Sequence, residues 1–133
     1  MSNITYSTTT TVTAEQLSQL FERAGMKRPI NDLPRLQKML DHADITVSAW
    51  DGERLVGIAR AITDYAYCCY LSDLAVDGEY QKHGIGSKLV DEVRQEIGDL
   101  CSLVLLSAPG AVNYYPKIGF TLSDKAYVIP RVK

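Results

Sequence analysis

Six consecutive residues, Gln81-Lys82-His83-Gly84-Ile85-Gly86, form the pattern in this chain best suited to chemistry. A glycine-rich corner that leads into a helix presents backbone N–H groups to phosphate oxygens. Glycine leaves room for an anion to approach the backbone, and the helix dipole favours negative charge at that end. Two glycines alone are a weak signal, so the flanks decide. Before the corner, Tyr70-Leu71-Ser72-Asp73-Leu74-Ala75-Val76 carries apolar residues on both parities, as a well-buried strand does. After it, Leu89, Val90, Val93 and Ile97 fall on one face of a helix. The order strand, polar turn, glycine corner, helix predicts an anion cradle. Lys82, His83 and Lys88 put positive charge into a first helical turn, where cations are otherwise disfavoured. A bound anion would resolve that conflict; a solvated basic surface is the plainer alternative.

The other chemistry-bearing residue types give less. Cys68, Cys69 and Cys101 are odd in number, and two are adjacent. That suits neither a disulfide framework nor a zinc site, which needs C-x-x-C spacing or a matching histidine pair. They read as small hydrophobes packed in strands, and no metal is expected. His42 falls at the end of a predicted helix, where a favourable dipole contact accounts for it. His83 lies inside the anion loop and reads as a contact there.

The 133 residues fit one domain, 1–133, with one core. Hydrophobic residues make up 46% and charged residues 23%, as in ordinary globular proteins. A formal net charge of −2 argues against nucleic acid held by overall charge. No apolar run is long enough to span a bilayer, and the first six residues do not resemble a signal peptide. The expected setting is cytoplasmic, with no membrane partner.

The elements that must position the corner follow from periodicity and punctuation. Residues 4–12 suit an N-terminal strand. Thr13 and Gln16 form a capping box before Leu17, Leu20, Phe21 and Ala24, and Gly25 stops that helix. Pro29 makes its surroundings irregular, and Asp32 caps a second helix bearing Leu33, Leu36, Met39 and Leu40. Residues 45–50 and 54–62 read as a hairpin through Asp51-Gly52. Residues 67–76, 87–97 and 101–106 read as strand, helix, strand, a βαβ unit with a parallel pair. Residues 109–118 suit a short helical segment closed by Gly119, and residues 120–129 one or two last strands. The sum is an α/β domain with a mixed sheet.

Three motifs in order, Asp73-Leu74-Ala75-Val76, Gln81-x-x-Gly84-x-Gly86 and Tyr114-Tyr115-Pro116-Lys117-Ile118-Gly119-Phe120, resemble those of the GCN5-related N-acetyltransferase (GNAT) family. The resemblance covers nearly the whole chain. It implies a mostly antiparallel sheet with a central, splayed parallel pair and flanking helices. It implies an enzyme that moves an acetyl group from acetyl-CoA to a primary amine, the expected acceptor being a small molecule. The pantetheine chain would lie between the splayed strands against Leu74, Ala75 and Val76. The pyrophosphate would sit on Gln81, Lys82, His83, Gly84, Ile85, Gly86 and Ser87. Tyr115 aligns with the tyrosine that many members use as general acid. Relatives often form homodimers, which leaves that partner open here.

Two departures from the family pattern matter. Relatives draw a general base from the strand before the glycine loop, at the positions of Tyr70 and Ser72, and neither is a carboxylate or histidine. Deprotonation is then expected through water held by Ser72, Tyr70 or backbone carbonyls, with Asp73 pointing to the opposite face by strand alternation. The second departure is Ala108 where many relatives carry asparagine; Asn113 is the nearby substitute for a cofactor contact. The acceptor pocket is expected to be shaped by the two early helices and the loop between them, with Arg28, Asp32, Trp50 and Tyr65 as candidate lining. Two other readings stay open: a protein N-acetyltransferase, and an acyl-CoA sensor without turnover.

Overall fold

The computed structural model describes residues 3–133. Five strands, β1 (Ile4–Ser7), β2 (Ile45–Asp51), β3 (Arg54–Thr63), β4 (Cys68–Val76) and β5 (Ser102–Val104), form one sheet in sequence order. Every neighbouring pair is antiparallel except β4 and β5, which run parallel. Three helices cover the sheet: α1 (Ala14–Ala24), α2 (Leu33–Asp41) and α3 (Ile85–Ile97).

Each face has its own apolar layer. On one, Ile85, Leu89, Val90, Val93 and Ile97 of α3 pack with Val47, Ala49, Ala59, Ala61, Cys69 and Leu71. On the other, Leu17, Leu20 and Phe21 of α1 and Leu36 of α2 pack with Trp50, Leu55, Ile58 and Ala75. The helix boundaries obey their capping residues. Thr13 Oγ1 accepts from Gln16 N–H at 3.1 Å while Gln16 Oε1 accepts from Thr13 N–H at 2.9 Å, which closes the predicted capping box on α1. Asp32 accepts from Arg35 N–H at 3.1 Å and caps α2. The segment between α1 and α2 is tied down from α1 by Ser18, whose hydroxyl donates to Ile30 O at 2.7 Å.

Two features of β4 shape everything that follows. First, β5 pairs with it only from Cys68↔Ser102 to Tyr70↔Val104. From Leu71 to Val76 the β5-facing edge of β4 has no strand partner, the gap expected between splayed parallel strands. Second, β4 carries a bulge. Between Arg60↔Asp73 and Ala61↔Leu71 the partner strand advances one residue while β4 takes two, so Ser72 is the extra residue. The bulge reverses the inside–outside alternation. Cys69 and Leu71 belong to the α3 layer, whereas Ala75, an even number of residues further on, belongs to the α1/α2 layer.

The expectation of C-terminal strands fails. Residues 120–133 contain no strand; the short helical segment over 109–118 is present as two 3-10 turns, Pro109–Ala111 and Tyr115–Ile118, the second closed by Gly119 as predicted. A three-residue β5 offers a short template for further pairing, and Pro130 removes one N–H donor. The tail instead reaches α2, where Arg35 Nη2 donates to Lys133 O at 3.2 Å. No described helix is long and apolar enough to cross a membrane.

Candidate active site

The glycine corner opens α3 as predicted, two residues earlier than residue 87. Gly84 is the N-cap in the left-handed conformation, φ 79°, and no side chain caps this helix. That sets α3 apart from α1 and α2, whose N-termini are closed by Thr13 and Asp32. Lys82 is left-handed too, φ 69°, a conformation that costs a side-chain-bearing residue energy and is retained where the loop's shape matters. The loop is braced from β4, since Gln81 Nε2 donates to Val76 O at 3.1 Å. Lys82 and His83 are exposed at the corner. Lys88 is not part of this cluster: its Nζ lies 3.2 Å from Glu92 Oε1 and above the Tyr6 ring. Its first-turn charge is therefore answered within the protein.

Gly86 is buried and needs its missing side chain for a reason the sequence did not suggest. A Cβ there would stand 2.5 Å from Tyr114 Oη and 3.8 Å from Val76 Cγ2. The Tyr114 phenol thus reaches the start of α3 beside the free edge of β4. Tyr114 and Tyr115 meet edge to face with ring centroids 5.3 Å apart, and Tyr115 meets Phe120 in the same manner at 5.5 Å. This contact chain joins the third motif to the first two. Burial raises the Tyr115 phenol above its reference pKa of 10.0; Tyr114 adds to the rise, and the positive charge of Arg28 opposes it. The group stays protonated at neutral pH.

The α1/α2 side of β4 carries a second wall, made of side chains from three separate elements. Arg28, between α1 and α2, donates from Nε to Asp73 Oδ1 at 2.8 Å and from Nη2 to Ser72 O at 3.0 Å. Its Nη1 donates to Lys27 O at 2.8 Å. Arg60 of β3 donates from Nε to Asp73 Oδ2 at 2.5 Å and from Nη2 to Ser72 Oγ at 3.0 Å. One guanidinium reaches both Ser72 Oγ and Asp73, so the two side chains lie on the same side of β4. The expectation that Asp73 points away from Ser72 is overturned by the bulge. Asp73 still does not supply a ready base, because its side chain is fully buried and each oxygen already accepts from a guanidinium.

Other expected residues sort as follows. Tyr70 is exposed at the end of the β4–β5 pairing, and Ser72, two residues beyond it, is half-buried. Leu74 and Val76 turn their side chains to the α3 layer, Ala75 to the other. Asn113 is exposed, one residue before Tyr114. Trp50 is no lining residue: it is buried, and its Nε1 donates to Ser48 Oγ at 2.8 Å. Tyr65 belongs to the β3–β4 turn, with Oη donating to Asp44 O at 3.1 Å, and Asp32 is occupied as a cap. His42 is the C-cap of α2. Arg60 is a buried partner that the sequence reading does not single out; the polar Ser72-Asp73 pair inside an apolar strand signals buried polarity there without naming its partner. Separately, an open cleft of about 730 Å³ lies between α3, β5 and residues 118–121, lined by Arg94, Cys101, Leu103, Ile118 and Phe120 among others. Its lining includes neither Ser72 nor Tyr115, so it is not the gap described above. No group of three potential metal ligands occurs among the described residues.

The family model for the acetyltransferase (GNAT) domain matches residues 8–128. The chain belongs to the GNAT family. An N-acetyltransferase described as ycf52-like, from Prochlorococcus marinus, is 32% identical over 117 residues, covering 83% of this chain and 63% of the relative. The chain therefore spans less than two thirds of that relative's length. A probable acetyltransferase from meticillin-resistant Staphylococcus aureus superimposes with a TM-score of 0.83 at 24% identity, over 98% of this chain and 99% of the other. An aminoglycoside N-acetyltransferase in complex with CoA superimposes with a TM-score of 0.74 at 15% identity, over 100% of this chain and 97% of the other. These two likenesses bear on the fold, a GNAT-type mixed sheet with its parallel pair at β4 and β5.

Proposed function

We propose that this GNAT domain transfers the acetyl group of acetyl-CoA to the primary amine of a small molecule by direct attack, with Tyr115 as general acid. The observation that supports the reading is the contact chain Gly86–Tyr114–Tyr115, which links the half-buried, protonated Tyr115 phenol through Tyr114 to the start of α3.

The residues fit coenzyme A. An uncapped helix N-terminus entered through a left-handed glycine is an anion site, and Gly84 has open space where a Cβ would stand. In this reading Gln81, Lys82, His83, Gly84, Ile85, Gly86 and Ser87 hold the pyrophosphate. The backbone of Leu74, Ala75 and Val76 holds the pantetheine amides, and Asn113 adds a polar contact. Acetyl-CoA supplies an activated acyl group with a thiolate leaving group. Tyr115 Oη holds the proton that a departing thiolate needs. With Asp73 locked between two guanidiniums, the amine's proton passes to solvent through water at Ser72 or Tyr70, or the amine arrives neutral.

The test follows free thiol release from acetyl-CoA across a panel of small primary amines. Amine-dependent release supports the reading. Tight CoA binding with no release for any amine would make the domain a sensor, and release only with peptide acceptors would make it a protein acetyltransferase.

A further inference from the structure

The wall formed by Arg28, Arg60 and Asp73 carries two full positive charges and one negative charge. Arg60 alone would balance Asp73: it is 6% exposed, and its Nε and Nη2 groups are spent on Asp73 and Ser72. Arg28 is the surplus. It crosses from the α1–α2 segment to a carboxylate that is already paired, and its other partners are neutral: two backbone carbonyls and the Phe21 ring, whose centroid lies 5.6 Å from the guanidinium carbon. Its side chain is 25% exposed. Among the described residues no other carboxylate pairs with either guanidinium. A partly buried cation with only half a counter-ion is costly unless a further anion completes the set. Of the five N–H groups of a guanidinium, Arg28 uses three, leaving one on each Nη, the number a carboxylate can accept in fork geometry.

We propose that Arg28 determines acceptor specificity by taking a carboxylate carried by the acceptor, so that the substrates are amines bearing a carboxylate group. This rests on the acetyltransfer reading for its consequence, but not for its binding chemistry. A single surplus positive charge matches a monoanion. It also disfavours simple cationic amines, whose charge nothing on this wall would answer. The Ser72 bulge is what makes the arrangement available, since it turns Asp73 to the side where Arg28 can reach it.

The experiment compares matched pairs, each an amino carboxylate and its carboxamide, with the full chain and acetyl-CoA. The parent protein should favour the carboxylate member by about 10- to 100-fold in kcat/KM, the range for a charge-assisted pair, mostly through KM. In Arg28→Gln that ratio should collapse towards one, and Arg28→Lys should recover part of it. A merely structural arginine would lower both members together and leave the ratio standing, which would overturn the proposal. So would a parent enzyme that shows no preference for the carboxylate member. Should no amine turn over, calorimetric titration of the same pairs into the CoA-loaded chain decides. Carboxylate-dependent binding that is lost in Arg28→Gln upholds the Arg28 site while the turnover reading fails. Equal binding of both members overturns it.

Discussion

The two walls of the gap beside β4 are built on opposite principles. The α3 wall is backbone: an uncapped helix start, a left-handed glycine and a second glycine that admits the Tyr114 phenol. The α1/α2 wall is side chain: two arginines from distant elements sharing one buried aspartate at a strand bulge. A backbone site offers the same donors whatever side chains surround it, so it suits a ligand common to many enzymes. A side-chain network is particular to one chain, so it suits the ligand that distinguishes them. On the proposed function, the donor belongs to the first wall and the acceptor to the second.

Removing the charge that holds the side-chain wall should have the largest effect. Asp73→Asn leaves two guanidiniums without their shared carboxylate, one of them buried. The expected loss, read by urea unfolding, is about 3–5 kcal/mol, as for other broken buried pairs. A loss below about 1 kcal/mol, the usual worth of an exposed pair, would show that the wall does not depend on this network.

The backbone wall should answer to volume rather than charge. Gly86→Ala forces the Tyr114 ring to move, at about 1–3 kcal/mol for overpacking, and CoA affinity should weaken about 10-fold or more. Adding Tyr114→Phe removes the atom nearest the new methyl group and should recover part of that affinity. Equal weakening in the single and double variants would mean that Gly86 serves the ligand directly, as the sequence suggested.

The smallest effect lies outside both walls. In the β3–β4 turn, Asp64 accepts from the N–H groups of Ala66, Cys68 and Tyr67, which lower its pKa from 3.8 to about 2. A carboxyl depressed on folding contributes stability above its unfolded pKa and loses it as pH falls through the folded value. Thermal unfolding between the ordinary carboxylate range and about pH 2 should therefore show a slope that Asp64→Asn reduces. Acetyl transfer at neutral pH should not respond.

The same contrast explains what could be read from the residues alone. The glycine corner and the α3 stripe are local patterns, and both are found where their spacing predicts. The Thr13 and Asp32 caps are equally local. The Arg28–Asp73–Arg60 wall is not legible in the sequence, because straight alternation through Ser72 puts Asp73 on the wrong face of β4. One inserted residue reverses the face of everything after it, and no local pattern marks the insertion. Arg60 could not be paired with Asp73 until the β3–β4 register was known. Residues 120–129 have strand-like composition, but composition does not supply a partner edge, and β5 ends after three residues.

The proposal that Tyr115 is the acid is tested most directly by kcat for Tyr115→Phe over a range of pH at saturating acetyl-CoA. The phenol acts while protonated, so the parent rate should hold through neutral pH and fall only as pH rises past the ordinary tyrosine range, because burial raises this group. The phenylalanine variant should lose about 100- to 10,000-fold in kcat and show no such alkaline fall. A kcat equal to that of the parent at every pH would contradict the assignment.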